Sequence, residues 1–371
     1  MQIFSSSDFE NCKKFITKED FKKIFVITGY NSFNKSKAKK ILYKLIGNQK
    51  IDFFFKKKNY PDIKELKQII KKINHVKPDV IIGIGGGCVI DYSKLANVFF
   101  NEKDIESKVK RSKFDFKKKL SYLIAIPTTA GSGAEVTPFA VLYINNIKYS
   151  VEHRLIKPDN FIISPQLVIN SNKALKASTG FDAIAQALES MISVKSSNKS
   201  LIYSQKSLSL SIPNFINYIN KPNVENSYKM NIAANLAGEA IAIAKTNGPH
   251  ATSYPFTTEF GISHGHAVSL TINKFMVLHY LYSNKSVASF NLNDRFQKIF
   301  KILKVRNIYE FDLLLKKIKL NANLEDNFEK LGINIEYQYD KILNGVNIQR
   351  LGNCPIKITR KDIKDILLMD L

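Results

Sequence analysis

Residues 79–97 read DVIIGIGGGCVIDYSKLAN: an apolar run, three consecutive glycines, then a pattern with helical spacing. A short run rich in Val and Ile and stopped by glycine is a buried strand, and the glycines mark a tight turn into a helix start. With no Cβ at Gly85, Gly86 or Gly87, backbone N–H groups can approach a phosphate at the positive end of that helix. The arrangement recurs in SYLIAIPTTAGSGAEVT (121–137), where a strand from Leu123 to Ile126 runs into Pro127. Thr128, Thr129 and Ser132 then supply hydroxyls, and Gly131 and Gly133 supply bare backbone. Two such loops at strand ends in an open parallel sheet describe a nucleotide crevice.

Working outward, KKIFVITG (22–29) and KIDFFF (50–55) read as strands, and SKAKKILYKLIG (36–47) and IKELKQIIKKINHV (63–76) as helices. This alternation predicts a parallel sheet. NEKDIESKVKRSKFDFKKK (101–119) reads as a polar surface excursion, FAVLYINNIKYSVEH (139–153) as a hairpin around Asn145 and Asn146, and FIISP (161–165) as the last strand. From Leu167 the pattern turns helical. The expected fold class is α/β: a Rossmann-like parallel-sheet dinucleotide domain over 1–166 and an all-helical metal and substrate domain over 167–371. The active site is expected in the cleft between them.

The helical half carries a second signal. HATSYPFTTEFGISHGHAV (250–268) holds three of the chain's six histidines, His250, His264 and His266. Upstream, GFDAIAQALES (180–190) sets Asp182 and Gln186 one turn apart on the same helix face. An Asp, a Gln and two separated His are the oxygen and imidazole donors of a catalytic divalent metal site with one position open. Gly248, Pro249, Gly261 and Gly265 flank the histidines and let the chain converge. The plainer readings are that a lone histidine packs, and that Asp182 is a helix N-terminal carboxylate favoured by the dipole after Ser178 and Thr179.

Composition fits an enzyme of two domains. The chain has 371 residues and 44% hydrophobic content, enough to bury a sizeable core. MQIFSSSDFENCKKF has acidic residues where a signal peptide needs an apolar core, so a cytoplasmic protein with no membrane partner is expected. Cys12, Cys88 and Cys354 are far apart and form no CxxC pair, which predicts no disulfide framework. The net charge is +24, but the lysines are spread along the polar sides of amphipathic segments. That spread argues against a nucleic-acid partner and for attraction of an anionic substrate and a phosphorylated cofactor.

In order and spacing, GIGGGCVIDYSK, IPTTAGSGAEVT, GFDAIAQALES and HATSYPFTTEFGISHGHA resemble the iron-containing (group III) alcohol dehydrogenases, whose fold is shared with dehydroquinate synthase and glycerol dehydrogenase. The likeness runs nearly end to end, closing with RLGNCPIKITRKDIKDIL (350–367). Within the family, KTNGPHATSYPFTTEFGISHGHAVSLT and NIKYSVEH look most like the phosphonoacetaldehyde reductases. The resemblance implies a metal-dependent, NAD(P)H-dependent aldehyde reductase acting on a small anionic aldehyde, phosphonoacetaldehyde giving 2-hydroxyethylphosphonate. Fe2+ is the expected metal with Zn2+ as the second candidate, and a homodimer is a candidate assembly. The competing readings are a relative with an uncharged alcohol or semialdehyde substrate, and a noncatalytic nucleotide-binding relative.

The resemblance also implies roles. Asp182, His250 and His264 become metal ligands, and Gln186 stands where the family normally has a fourth ligand, a histidine. An amide oxygen is a neutral, weaker donor, so Gln186 either ligates poorly or leaves three protein ligands. Tyr254 stands where many relatives carry another histidine, and it either serves substrate or a proton relay, or packs. His266 either faces the cleft and binds an anion when protonated or is structural. His153 and Arg154 are further candidates for a phosphonate clamp, Arg154 the better by bidentate geometry. The cofactor set is Gly29, Asn31, Ser32, Gly85, Gly86, Gly87, Cys88, Asp91, Thr128, Thr129, Ser132 and Lys148, with Cys88 replacing the family's usual serine. In VITGYNSFNKS (26–36), Gly29 stands where NAD-preferring relatives carry an Asp, and Asn31, Ser32 and Lys35 are donors. That favours NADPH, with NADH as the second option.

Overall fold

The computed structural model describes residues 3–4, 13, 16–17, 21–47, 49–145 and 147–369. Cys12, Asn146 and the Lys35 side chain lie outside the described part. By internal contacts the chain forms two units: residues 1–129 with 133–171, and residues 130–132 with 172–371.

In the first unit, β1 (Ile3–Phe4), β2 (Ile24–Gly29), β3 (Ile51–Lys56), β4 (Val80–Gly85) and β5 (Tyr122–Pro127) precede a hairpin of β6 (Phe139–Ile144) and β7 (Ile147–Glu152), and β8 (Asn160–Ile162) comes after it. Strands β1-β8-β5-β4-β2-β3 form, in that order, one sheet in which each described pairing is parallel. Its intervening helices are α1 (Tyr30–Lys35), α2 (Ala38–Ile46), α3 (Ile63–Val76), α4 (Gly87–Phe99), α5 (Ile105–Lys110) and α6 (Pro165–Val168). Side chains alternate across the sheet: Phe25, Ile27 and Ile81 pack with α3 and α4, while Ile24, Val26 and Ile82 pack with α2. Burial on both faces is why these strands read as continuous apolar runs rather than alternating ones. The α3 start is fixed by Asp62, whose side chain accepts from the backbone of Lys64 and Glu65.

Two local features go beyond the pattern of the sequence. Residues 30–35, between the predicted strand and helix, form α1, because Phe33 finds a buried place against Phe53 and Phe55. The polar excursion contains α5, which buries Ile105 and Val109 beneath its lysines. By contacts residues 167–171 group with the first unit, and Leu167 of α6 belongs to the sheet core.

The second unit is helical: α7 (Lys173–Ile192), α8 (Asn198–Asn220), α9 (Val224–Ala244), α10 (Gly248–Phe260), α11 (His264–Leu281), α12 (Leu292–Leu303), α13 (Ile308–Asn321), α14 (Ile335–Gly345), α15 (Ile348–Leu351) and α16 (Arg360–Leu368). Most of α7 is buried, so its polar side chains need partners inside the protein. Among the described residues no helix is long and apolar enough to cross a membrane.

Candidate metal centre

Two glycines decide how closely three helices meet. A Cβ on Gly265, in the first turn of α11, would lie 1.9 Å from the Ser178 carbonyl oxygen and 2.9 Å from the Asp182 Cβ. Glycine there brings α11 against α7, and His264, the first residue of α11, against Asp182. A Cβ on Gly248, the first residue of α10, would lie 2.3 Å from the Phe275 ring of α11. At the other end of α10, Gly261 takes φ 69° as a left-handed cap, turning the chain back toward α11.

The result is a cluster from three helices. One ligand atom each from Asp182, His250 and His264 lies within 4.8 Å of the others. His250 Nε2 is 3.1 Å from Asp182 Oδ1, and the two histidine rings are 5.4 Å apart, centre to centre. On its other side, His250 Nδ1 is 2.9 Å from Glu189 Oε1. Burial opposes charge on His250, yet the Glu189 and Asp182 carboxylates outweigh it and hold the imidazole pKa up to about 9. Burial also works against the Asp182 carboxylate, but the hydrogen bond from His250 and the nearby His264 and His250 charges pull its pKa below the usual range.

Gln186 tests the fit of a cation. Its Nε2 donates to Asp182 Oδ2 at 3.1 Å, an orientation that carboxylate chemistry requires because an ionised Asp only accepts. Its Oε1 is then buried with no hydrogen-bond partner. A buried oxygen without a partner, on a side chain bonded to the carboxylate that shares a cluster with two imidazoles, suits a divalent transition metal.

Tyr254 is also here, buried one turn after His250, with its ring 6.4 Å from that of His264. His266 differs. Its Nε2 lies 2.6 Å from the Glu325 carbonyl oxygen, so the ring N–H is committed to the backbone, which is the structural alternative in the sequence. His153 in the first unit has a structural role as well: its Nδ1 accepts from the Leu155 backbone at 3.2 Å, and burial and Arg154 lower its pKa. Arg154 itself is exposed, in a short 3-10 turn over Arg154–Ile156.

The two glycine loops follow strands β4 and β5. Gly85 pairs with Pro127 across β4 and β5, and Thr128 donates its N–H to the Gly85 carbonyl. This brings the two loops side by side, with Thr129 facing Gly86. Gly86 caps α4 with no side-chain hydrogen bond, leaving the helix start to backbone N–H groups, as Gly87 and Cys88 provide. Burial pushes the Cys88 thiol up to about 12, so it stays protonated. Ser132 groups with the second unit. Asp91 turns to the hairpin, where it accepts from Val141 N–H at 3.0 Å; burial raises its pKa to about 6 despite nearby Lys94 and Lys148. Ser32 donates to the Gly29 carbonyl at 3.0 Å, and Asn31 is exposed.

Sequence reasoning missed Glu189 and Lys94. Glu189 lies seven residues after Asp182, hence on the same face of α7, a spacing that was available in the sequence. Lys94 is fully buried and donates to Thr137 Oγ1 and to the Phe139 carbonyl, both at 2.9 Å, which ties α4 to the hairpin carrying Lys148. Burial lowers its pKa to about 8.

Two family models cover nearly the whole chain: iron-containing alcohol dehydrogenase over residues 2–165, and the C-terminal region of the Fe-containing alcohol dehydrogenase family over 176–370. The chain belongs to the iron-containing alcohol dehydrogenase family. The Asp182, His250 and His264 cluster is this family's metal site, on the same three residues that the motifs pointed to. The aldehyde-alcohol dehydrogenase of Streptococcus pneumoniae is 30% identical over 217 residues, 55% of this chain and 25% of that protein. The phosphonoacetaldehyde reductase of Streptomyces viridochromogenes is 28% identical over 217 residues, 56% of this chain and 55% of that protein. The alignment thus spans about half of one curated relative and a quarter of the other. The sulfoacetaldehyde reductase of Bifidobacterium kashiwanohense, solved in complex with NAD+, shares the fold at a TM-score of 0.88 and 23% identity, over 99% of this chain and 96% of that one.

Proposed function

We propose that this member of the family is a metal-dependent NAD(P)H aldehyde reductase, and that its substrate is phosphonoacetaldehyde, reduced to 2-hydroxyethylphosphonate. The observation that carries the reading is the donor cluster of buried Asp182 and His250 with half-buried His264, together with the buried, partnerless Oε1 of Gln186 one turn from Asp182. These four side chains would hold the cation, with Gln186 as the weakest donor because its oxygen is neutral. What a divalent ion supplies when bound is Lewis acidity toward an aldehyde oxygen. The chain's own groups do the rest. Tyr254 offers a phenol beside His264 to orient the aldehyde and return a proton to its oxygen at Oη. The glycine loops at Gly85–Gly87 and Thr128–Thr129 hold the cofactor phosphates through backbone N–H and hydroxyl groups, and Lys148 adds positive charge. NADPH is the preferred cofactor, because Gly29 offers no carboxylate to repel a 2′-phosphate.

The phosphonate rests on the 28% likeness to phosphonoacetaldehyde reductase, the +24 charge and the exposed Arg154. A dianion needs a cation to replace its hydration, and Arg154 is the side chain whose fork suits it. The likeness to the aldehyde-alcohol dehydrogenase supports a second reading, a neutral short aldehyde. NADPH oxidation with phosphonoacetaldehyde and with propanal separates the two. The proposal expects a much higher kcat/KM for the phosphonate, and an Arg154→Ala protein whose KM rises for that substrate alone. Equal efficiency toward both aldehydes contradicts it.

A further inference from the structure

The buried acid next to the metal site is unaccounted for by ligation. Glu189 is fully buried on α7, yet its carboxylate makes three hydrogen bonds, all to the first residues of α10 and the one before it. Oε2 accepts from Asn247 N–H at 2.8 Å, and Oε1 accepts from His250 N–H at 3.1 Å while lying 2.9 Å from His250 Nδ1. Asn247 is the N-cap of α10, and its side-chain oxygen accepts from Gly248 N–H, at 2.7 Å. Pro249, next in line, has no N–H to satisfy. The third helical residue is His250, so the N–H groups that the Asn247 side chain leaves open at this helix end, those of Asn247 and His250, are closed by a carboxylate from another helix.

We propose that Glu189 is the positioning residue of the metal centre, fixing both the start of α10 and the ring of His250 so that Nε2 faces Asp182 and His264. This inference rests on the metal site of the family. The geometry leaves little choice of ring orientation. Both ring nitrogens face carboxylates that only accept, Nδ1 toward Glu189 and Nε2 toward Asp182; a cation entering beside Asp182 and His264 would take the place of the Nε2 proton, while Glu189 keeps the proton on Nδ1. A carboxylate on the far nitrogen also makes the imidazole a better ligand, and loss of such a partner costs metal affinity roughly 10–100-fold. Its full burial is consistent with this use, because a buried carboxylate is costly to keep unless hydrogen bonds repay its lost hydration.

Glu189→Gln keeps the size of the side chain but replaces one acceptor with an NH2 group, which must then face either Asn247 N–H or the His250 ring. The test is Co2+ binding to the chelator-stripped full chain, read by visible absorption and by competition with a chelator, for wild type, Glu189→Gln and Asp182→Ala. The expected result is wild-type binding, roughly 10–100-fold weaker binding with an altered Co2+ spectrum in Glu189→Gln, and none in Asp182→Ala. Wild-type affinity and spectrum in Glu189→Gln, with Asp182→Ala still defective, would overturn the positioning role alone. If wild type binds no Co2+, the metal reading fails first and takes the inference with it. Should Glu189→Gln not fold, 15N-histidine NMR of Zn2+-loaded wild type decides: His250 is expected protonated at Nδ1 and metal-bound at Nε2, and the reverse assignment overturns the proposal.

Discussion

At Gly29, one missing carboxylate carries the cofactor prediction. The residue ends β2 with φ −99°, a backbone that any amino acid adopts, and a Cβ there would meet only Ser32 Oγ at 3.0 Å and the flexible Lys56 chain. Gly29→Asp therefore folds with a small movement of Ser32. Its carboxylate would repel a 2′-phosphate by about 1–3 kcal/mol, roughly tenfold or more in preference. Steady-state kcat/KM for NADPH and NADH should show wild type favouring NADPH and the variant losing that preference; wild type favouring NADH contradicts it. Gln186 gives a second prediction at this scale. Gln186→Ala should weaken metal binding less than loss of Asp182, and Gln186→His should tighten it, both read by metal content after dialysis. The residue scale also shows what a sequence conceals. The ligand types were legible because Asp182, His250 and His264 are chemically unusual in their segments. Commitment of the His266 ring to a carbonyl at residue 325, fifty-nine positions away, was not, because only the folded chain brings that carbonyl to it.

Among the elements, α7, α10 and α11 form the site because glycine removes side chains where they touch. Gly265→Ala puts a methyl group 1.9 Å from the Ser178 carbonyl oxygen, a backbone atom that cannot swing away. Overpacking of this kind costs about 1–3 kcal/mol or more, so the variant should melt several degrees lower and bind metal more weakly. Unchanged melting and metal affinity would show that the helices do not meet as described. The parallel strands were legible from apolar runs bounded by glycine, and the long helices from their periodicity. Short elements were not. α1 and α5 are each six residues long, with polar surfaces, and exist because single apolar side chains such as Phe33 and Val109 reach the core.

For the whole molecule, the buried charges link stability to pH. His250 has a pKa raised from 6.5 to about 9 by Glu189 and Asp182. A group held protonated in the fold contributes stability that is fully present below the unfolded value and lost as pH rises through the folded one. The metal-stripped protein should therefore lose melting temperature between about pH 6.5 and about 9, and a His250→Gln protein should lack that loss. Asp182 contributes in the opposite sense, and only in acid, because its pKa is lowered. A flat wild-type profile over this window would mean that His250 is not held as a cation by its two carboxylates.

Metal-dependent turnover is the measurement closest to the chemistry assigned to this site. The protein is stripped with a chelator, then assayed for NADPH oxidation by phosphonoacetaldehyde and by propanal, before and after addition of Fe2+ or Zn2+. A metal held by Asp182, His250 and His264 predicts no turnover of either aldehyde by the stripped protein and recovery on adding metal to wild type. It predicts no recovery in Asp182→Ala, His250→Ala or His264→Ala proteins that remain folded. Undiminished turnover by a His264→Ala protein carrying no metal would contradict it.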